Sequence, residues 1–151
     1  MTGRRPWWPW AAVALLLLGD QWTKQLVVAA FAPGQSRPVL APLLRLTYVQ
    51  NTGAAFGVLR GQQWFFVLLS LGVIGWLARE LWARRHPAPV LWGCTLVLGG
   101  AAGNLIDRVR LGYVVDFLQL PLWPVFNVAD SAITIGVGLL LLQSFRRQER
   151  A

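Results

Sequence analysis

Two aspartates, Asp116 and Asp130, are the residues of this chain whose types and positions best suit catalysis. The 151-residue sequence has only six acidic residues, yet these two lie on polar segments beside very apolar runs. Carboxylates are costly at a membrane boundary, so two that could meet there indicate a functional site. Because like charges in a partly desolvated site resist joint ionisation, one carboxylate would stay ionised and the other would hold a proton. An aspartic peptidase uses that state, with one carboxylate activating water and the other donating to the scissile carbonyl.

Other catalytic classes lack the residues that they need. The chain has one histidine, His86, and one cysteine, Cys94, which argues against histidine triads, multi-imidazole zinc sites and an intramolecular disulfide. A serine–lysine dyad would need Lys24 and Ser131, but a lysine that already faces an aspartate is a poor neutral base. No glycine-rich phosphate loop follows a strand pattern, and neither a metal ion nor an organic cofactor is suggested.

Polar residues flank the two aspartates at helical spacing. Asn127 is a good N-cap for a helix that carries Asp130 in its first turn, so a role for Asp130 in helix stability alone stays open. Asn104, Asp107 and Arg108 lie at i, i+3 and i+4 and therefore on roughly one side of a helix. Arg108 could serve Asn104 or another segment, or it could extend towards lipid head groups. Asp107 could merely balance nearby arginines.

Further polar and small residues accompany these positions. Asp20 and Lys24 share a helix face at i, i+4, and a structural salt bridge facing the helix bundle is the leading interpretation; a role in contacting substrate is the alternative. Asn51 begins a turn-prone Asn-Thr-Gly segment that could end a strand. Gly99 and Gly103 share a helix face and would let a neighbouring helix approach closely.

Four apolar stretches predict an all-α membrane protein. A helix needs about 20 residues to cross the hydrocarbon core, and the stretches lie at about residues 10–31, 63–82, 90–106 and 128–145. We expect residues 1–151 to form a single integral membrane domain. The first stretch contains Asp20 and Lys24 and is longer than the apolar part of a signal peptide, so we expect it to remain as a helix.

Two connections, at residues 32–62 and 107–127, would lie on the outer side of the membrane. The first contains a strand-like run at residues 43–50 with partial alternation, which predicts a small extracytoplasmic β-cradle.

The net charge of +8 is explained by basic residues at the ends of the apolar stretches, so no nucleic acid partner is expected. By the positive-inside rule, both termini and the middle connection would be cytoplasmic. The residues that carry this assignment are Arg4, Arg5, Arg79, Arg84, Arg85, Arg146, Arg147 and Arg150. Asp116 and Asp130 would then lie near the outer face.

Five motifs, taken in order, resemble the bacterial lipoprotein signal peptidase family, signal peptidase II. They cover nearly the whole chain: Asp20-Gln21-Trp22-Thr23-Lys24, Asn51-Thr52-Gly53-Ala54-Ala55-Phe56, Gly103-Asn104-Leu105-Ile106-Asp107-Arg108, Val114-Val115-Asp116-Phe117 and Phe126-Asn127-Val128-Ala129-Asp130-Ser131. The five motifs together indicate this family far more specifically than any one of them would.

The resemblance implies a four-helix aspartyl endopeptidase of the bacterial inner membrane with an outer β-cradle. Its substrates would be diacylglyceryl-modified prolipoproteins, cut just before the lipidated cysteine. Asp116 and Asp130 match the family's catalytic pair, and the matching polar residues around it are Asn51, Asn104, Arg108, Asn127, Asp20 and Lys24. The resemblance also implies contact with membrane lipids and sensitivity to globomycin, and we expect a monomer.

Two other functions are less consistent with the sequence. A small proton-coupled transporter would need a continuous polar route to the cytoplasm, whereas the second stretch offers only Ser70 between Phe65 and Ala78. A noncatalytic scaffold packing through Gly99 and Gly103 would leave the clustering of Asn, Asp and Arg unexplained.

Overall fold

The structure, a computed structural model, describes residues 6–53, 59 and 61–148. Its elements in chain order are α1 (Trp8–Ala30), β1 (Ser36–Leu40), β2 (Leu44–Asn51), α2 (Gln63–Ala83), α3 (Ala88–Leu111), β3 (Val114–Gln119) and α4 (Val128–Gln148). The predicted strand-like run forms β2. The strand β3, which carries Asp116, was not predicted, because its short apolar run follows a helix directly.

Helix α3 is the centre of the bundle and packs against α1, α2 and α4. The predicted close approach at Gly99 and Gly103 is confirmed, since a Cβ added at Gly99 would lie 2.6 Å from the Leu16 side chain and one at Gly103 would lie 2.6 Å from Asp20 Oδ2. Both neighbours belong to α1. On another face of α3, a Cβ at Gly100 would overlap the Ala129 carbonyl oxygen of α4.

Three helices among the described residues are long and apolar enough to cross a membrane: Gln63–Ala83, Ala88–Leu111 and Val128–Arg146. The chain is therefore an integral membrane protein with a mostly helical fold and a small sheet. The predicted count of four spans is only partly confirmed, because α1 is not among the three. Its polar residues Asp20, Gln21 and Lys24 lower its hydropathy, although its 23 residues would extend about 35 Å.

The third helix is longer than the sequence predicted. Residues 107–111, assigned to the outer connection, are helical, and α3 ends where Gly112 adopts a left-handed conformation with φ 85°. The sequence predicts that Asp107 begins the outer connection, but its side chain is buried in the bundle and paired with Lys24 at 2.9 Å. An acidic residue that is neutralised inside the bundle does not need to leave the helix for water.

The three strands form one antiparallel sheet in the order β1-β2-β3. In the pairing of β2 with β3, Val49 lies opposite Asp116 and Asn51 lies opposite Val114. The sheet packs through Tyr48, Val115 and Phe117 against Val27, near the end of α1. Val115 and Phe117 are the two neighbours of Asp116 on β3, so the sheet is anchored to α1 on both sides of this aspartate.

Candidate active site

Asp116 lies in the middle of β3 and is only 2% exposed. Its two carboxylate oxygens accept hydrogen bonds from different elements: Asn51 Nδ2 donates to Oδ2 at 2.8 Å, and Asn127 Nδ2 donates to Oδ1 at 2.7 Å. Asn51 reaches this position because it ends β2 beside β3. Two amide donors thus hold the carboxylate in one orientation.

Asp130 lies in the first turn of α4, as the sequence predicted. The Asp130 backbone N–H donates to Asn127 Oδ1 at 2.9 Å, and the Asn127 N–H donates to Asp130 Oδ2 at 3.1 Å. This is a reciprocal capping arrangement, which satisfies N–H groups that a helix start leaves without helical partners. The second carboxylate oxygen, Oδ1, accepts from Asn104 Nδ2 at 2.7 Å. Asp130 therefore stabilises the helix and also faces the polar cluster.

Both carboxylates line one cavity of about 770 Å³. One part of its wall is polar and contains Asn51, Asn104, Arg108, Asp116 and Asp130. The rest is mostly apolar and comes largely from α2, α3 and α4, through residues that include Leu69, Val73, Val97, Ala101, Ile133 and Ile135. A polar patch beside an apolar wall can accept a peptide that is flanked by apolar groups.

The pKa of Asp116 is raised from 3.8 to about 7. Burial is the largest cause because it disfavours the charged form, and the nearby charge of Asp130 raises the pKa further. Hydrogen bonds from Asn51 and Asn127 oppose the shift because they stabilise the ionised carboxylate. A carboxyl group with such a pKa can hold or release a proton near neutral pH.

Asp20, Lys24 and Asp107 form a buried group that we call the ion cluster. Lys24 Nζ lies 2.8 Å from Asp20 Oδ2 and 2.9 Å from Asp107 Oδ2. Asp107 does more than balance the nearby arginines, because its direct partners are Lys24, Gln21 and the Val115 backbone N–H. The predicted intrahelical salt bridge is present.

The ion cluster connects the helices to the segments that carry Asp116 and Asp130. Asp20 Oδ1 accepts from the Ala129 N–H at 2.9 Å, at the start of α4. Asp107 Oδ2 accepts from the Val115 N–H at 3.1 Å, one residue before Asp116. Lys24 Nζ also donates to Asn104 Oδ1 at 3.0 Å. The segments carrying both carboxylates are therefore tied to α1 and α3.

Arg108 extends to another segment, as one of the sequence alternatives allowed. Its Nη2 donates to the Gly53 carbonyl oxygen at 3.4 Å, and its guanidinium lies 5.0 Å from the centroid of the Phe66 ring. The turn predicted at Asn51 is present, because Asn51 Oδ1 accepts from the Gly53 N–H at 3.0 Å. Arg108 thus holds the turn near the cavity while it lines the wall.

Several sequence predictions concern residues outside the described part of the chain. These are residues 54–56 of the Asn51 motif and the charges of Arg4, Arg5 and Arg150, and the side chain of Arg147 is likewise not described. Within residues 6–53, 59 and 61–148, no group of three or more His, Cys, Asp or Glu residues is arranged to hold a metal ion.

Sequence reasoning missed two contributors to the site. Gln21 Nε2 donates to Asp107 Oδ1 at 2.9 Å and to the Gly103 carbonyl oxygen at 3.3 Å, and so joins α1 to α3. Gly100 lets α4 approach beside Asp130. Gln21 lies next to Asp20 in the sequence, and only the polarity of this residue within an apolar stretch could have identified it.

Two carboxylates in one cavity, each with its own amide donors, can perform general acid and base catalysis on a bound carbonyl compound. The ionised carboxylate can accept a proton from water while the protonated one donates to the carbonyl oxygen. The amide donors are already oriented, so little reorganisation is needed as charge develops.

Comparisons with known proteins agree with this chemistry. The family model described as signal peptidase (SPase) II matches residues 12–146. The lipoprotein signal peptidase of Halothermothrix orenii is 42% identical over 137 residues, which cover 91% of this chain and 94% of that protein. The protein of the same name from Halalkalibacterium halodurans is 44% identical over 148 residues, covering 93% and 92% respectively.

A solved structure is also similar over most of the chain. It is a bacterial membrane enzyme determined by the in meso method, with a TM-score of 0.89 and 30% sequence identity. The match covers 94% of this chain and 90% of that one.

Proposed function

This chain belongs to the signal peptidase II family, and from that membership we propose that it removes the signal peptide from diacylglyceryl-modified prolipoproteins. It is an aspartic endopeptidase that cuts the bond just before the lipidated cysteine. The observation that carries the proposal is the placement of Asp116 and Asp130 in one cavity with separate amide donors.

In the proposed mechanism, a water molecule between Asp116 and Asp130 attacks the scissile carbonyl carbon. The ionised carboxylate accepts a proton from that water, and the protonated partner donates its proton to the carbonyl oxygen. As the tetrahedral diol collapses, the carbon–nitrogen bond breaks, and the carboxyl group that took the water proton passes it to the leaving amine. The other carboxylate takes back a proton from a diol hydroxyl. Both carboxylates return to their starting state after one cycle.

The surrounding polar residues have supporting roles in this proposal. Asn51 and Asn127 orient Asp116, and Asn104 orients Asp130. Arg108 lines the cavity, where its guanidinium can bind a substrate carbonyl. Asp20 and Lys24 belong to the ion cluster behind the carboxylates and support them without lining the cavity.

The apolar wall of the cavity suits a substrate that arrives from the membrane. The acyl chains of the diacylglyceryl group can stay in the bilayer while the peptide beside the modified cysteine reaches the two carboxylates. Holding the lipid in the bilayer restricts the position of the scissile bond, which favours reaction. Membrane lipids are therefore partners of the reaction, and the enzyme acts as a monomer in a single domain.

The proposed topology has four spans, with α1 as the fourth. The polar residues Asp20 and Lys24 do not oppose this, because both are buried against α3 and neutralise each other. Basic residues Arg79, Arg84, Arg85 and Arg146 lie near the helix ends remote in sequence from the sheet, which supports cytoplasmic termini and an active site near the outer face of the inner membrane.

A cleavage assay tests the proposed function. The purified protein in mild detergent is mixed with a prolipoprotein carrying the diacylglyceryl group and, separately, with the same protein lacking it. We expect a gel shift of the modified substrate alone, with a new amino terminus at the lipidated cysteine, and inhibition by globomycin. A well-folded enzyme that cuts neither substrate would refute the proposal, and equal cleavage of both would refute the lipid requirement.

A further inference from the structure

We propose that Lys24 is a positioning residue that fixes the orientation of the Asn104 side-chain amide and thereby aims an N–H donor at Asp130. The inference rests on the proposed function of Asp116 and Asp130. Lys24 is 2% exposed and is not among the residues that line the cavity. It therefore acts on the reaction through Asn104 and not by touching substrate.

The ammonium group of Lys24 has three oxygen partners and no acceptor of its own. Its Nζ lies 2.8 Å from Asp20 Oδ2, 2.9 Å from Asp107 Oδ2 and 3.0 Å from Asn104 Oδ1. Because lysine can only donate, Asn104 must face it with oxygen. The amide nitrogen of Asn104 must then face the other way, where it donates to Asp130 Oδ1 at 2.7 Å.

The opposite orientation of Asn104 would produce two unfavourable contacts. Its N–H groups would face the Lys24 ammonium, and its oxygen would face a carboxylate oxygen of Asp130 at hydrogen-bond distance. Buried polar groups that meet like partners lose their hydrogen bonds and their compensation for desolvation. The lysine thus selects one of two amide orientations that have nearly the same shape.

No other described donor can fix the amide as firmly. Asn127 Nδ2 also donates to Asn104 Oδ1, at 3.1 Å, but the same nitrogen lies 2.7 Å from Asp116 Oδ1 and 3.3 Å from the Val115 carbonyl oxygen. Two hydrogens are therefore shared among three acceptors. Without Lys24, the Asn127 amide would have to serve Asn104 at the expense of Asp116.

The test removes Lys24 without changing the net charge of the ion cluster. Lys24→Met alone would leave Asp20 and Asp107 buried without their cation, and the protein could fail to fold. In Lys24→Met/Asp107→Asn, one positive and one negative charge are removed together, and residue 107 keeps an oxygen for the Val115 N–H. The reference is Asp107→Asn, which retains the contact from Lys24 to Asn104.

Turnover of a diacylglyceryl-modified prolipoprotein, KM and the thermal midpoint are measured for both variants. We expect kcat of the double variant to be at least about tenfold below that of Asp107→Asn with KM nearly unchanged, because the loss affects the orientation of a donor to Asp130. The thermal midpoint of the double variant should also fall, since Asp20 stays buried without its cation, so kcat is measured well below that midpoint. Equal kcat values in the two variants would overturn the inference. A lower midpoint with unchanged kcat would assign Lys24 a structural role only and would also overturn it.

A fallback variant and the original chain separate failure of this inference from failure of the proposed function. If the Asp107→Asn reference is unfolded or inactive, or if the double variant is unfolded, Lys24→Gln is compared with the original chain, since glutamine keeps a donor for Asp20. A drop in kcat with constant KM then supports the inference, and an unchanged kcat contradicts it. Failure of the original chain to cut the substrate would instead refute the proposed function.

Discussion

Asn127 and Asp130 bond to each other twice at the start of α4, through the Asp130 N–H to Asn127 Oδ1 at 2.9 Å and the Asn127 N–H to Asp130 Oδ2 at 3.1 Å. The same Asn127 side chain donates to Asp116 at 2.7 Å. One asparagine therefore fixes the position of one proposed catalytic carboxylate and the orientation of the other. The contacts of Asn127 that stabilise the start of α4 therefore also help to position the two proposed catalytic carboxylates.

Turnover should fall as the pH rises through about 7. The proposed mechanism needs one protonated carboxyl group, and burial raises the pKa of Asp116 to about 7. Above that pH the proton is lost and the group can no longer act as an acid. The measurement is kcat for a lipid-modified prolipoprotein between about pH 5 and pH 9. A profile that stays flat to pH 9 would contradict this assignment of the proton.

Asn51→Leu should slow turnover and move the high-pH limb of the profile upward. Asn51 donates to Asp116 at 2.8 Å and lowers its pKa by stabilising the ionised form. Loss of a hydrogen bond to a charged group costs about 1.5–3 kcal/mol, or roughly tenfold to a hundredfold in kcat if it is fully expressed in the transition state.

The matched control for this prediction is Gln50→Leu, because Gln50 precedes Asn51 on β2 and its side chain contacts the Tyr48 hydroxyl instead. The profile of the control should coincide with that of the original. Equal profiles for Asn51→Leu and the original would show that Asn51 does not influence Asp116.

Gly103→Ala should destabilise the protein, whereas Gly138→Ala should not. A Cβ at Gly103 would lie 2.6 Å from Asp20 Oδ2, while a Cβ at Gly138 would meet nothing within 4 Å. Displacing Asp20 from the ion cluster should cost roughly 1–3 kcal/mol, in line with overpacking elsewhere. Thermal unfolding in detergent measures both variants. Equal thermal midpoints for Gly103→Ala and Gly138→Ala would mean that α1 and α3 can move apart at Gly103 without a loss of stability.

Asp116→Asn should raise the thermal midpoint at about pH 8 and raise it less at about pH 5. The folded-state pKa of about 7 lies above the ordinary value of 3.8, so the fold binds the proton more tightly than the unfolded chain does. Stability is therefore lost as the pH rises between these two values, and the buried carboxylate destabilises the fold above them. Asparagine removes that charge. An original chain that is as stable as the variant at pH 8 would contradict the raised pKa.

The sequence predicted the parts of the site that depend on local spacing. The cap formed by Asn127 and Asp130 follows from a three-residue separation, and the salt bridge of Asp20 with Lys24 follows from a separation of four. The scarcity of acidic residues identified Asp116. Family membership removed the transporter and scaffold alternatives.

The parts that were missed depend on contacts between distant segments. Asp107 pairs with Lys24 although 83 positions separate them, and no helical spacing links the two. The strand β3 exists because it pairs with β2, where Val49 lies opposite Asp116. The added turn of α3 begins at Asp107, whose buried contact with Lys24 cannot be predicted from local spacing. Each of these follows from tertiary packing, which overrides local sequence pattern.

The most direct test of the account compares cleavage of a diacylglyceryl-modified prolipoprotein by the original chain, Asp116→Asn, Asp130→Asn and Ser131→Ala. Ser131 lies beside Asp130 and would be needed only by a serine mechanism. We predict that both aspartate variants stay folded but lose cleavage by at least about a thousandfold, while Ser131→Ala cuts at a rate close to that of the original. Near-normal cleavage by a folded Asp116→Asn or Asp130→Asn variant would contradict the proposed catalytic pair.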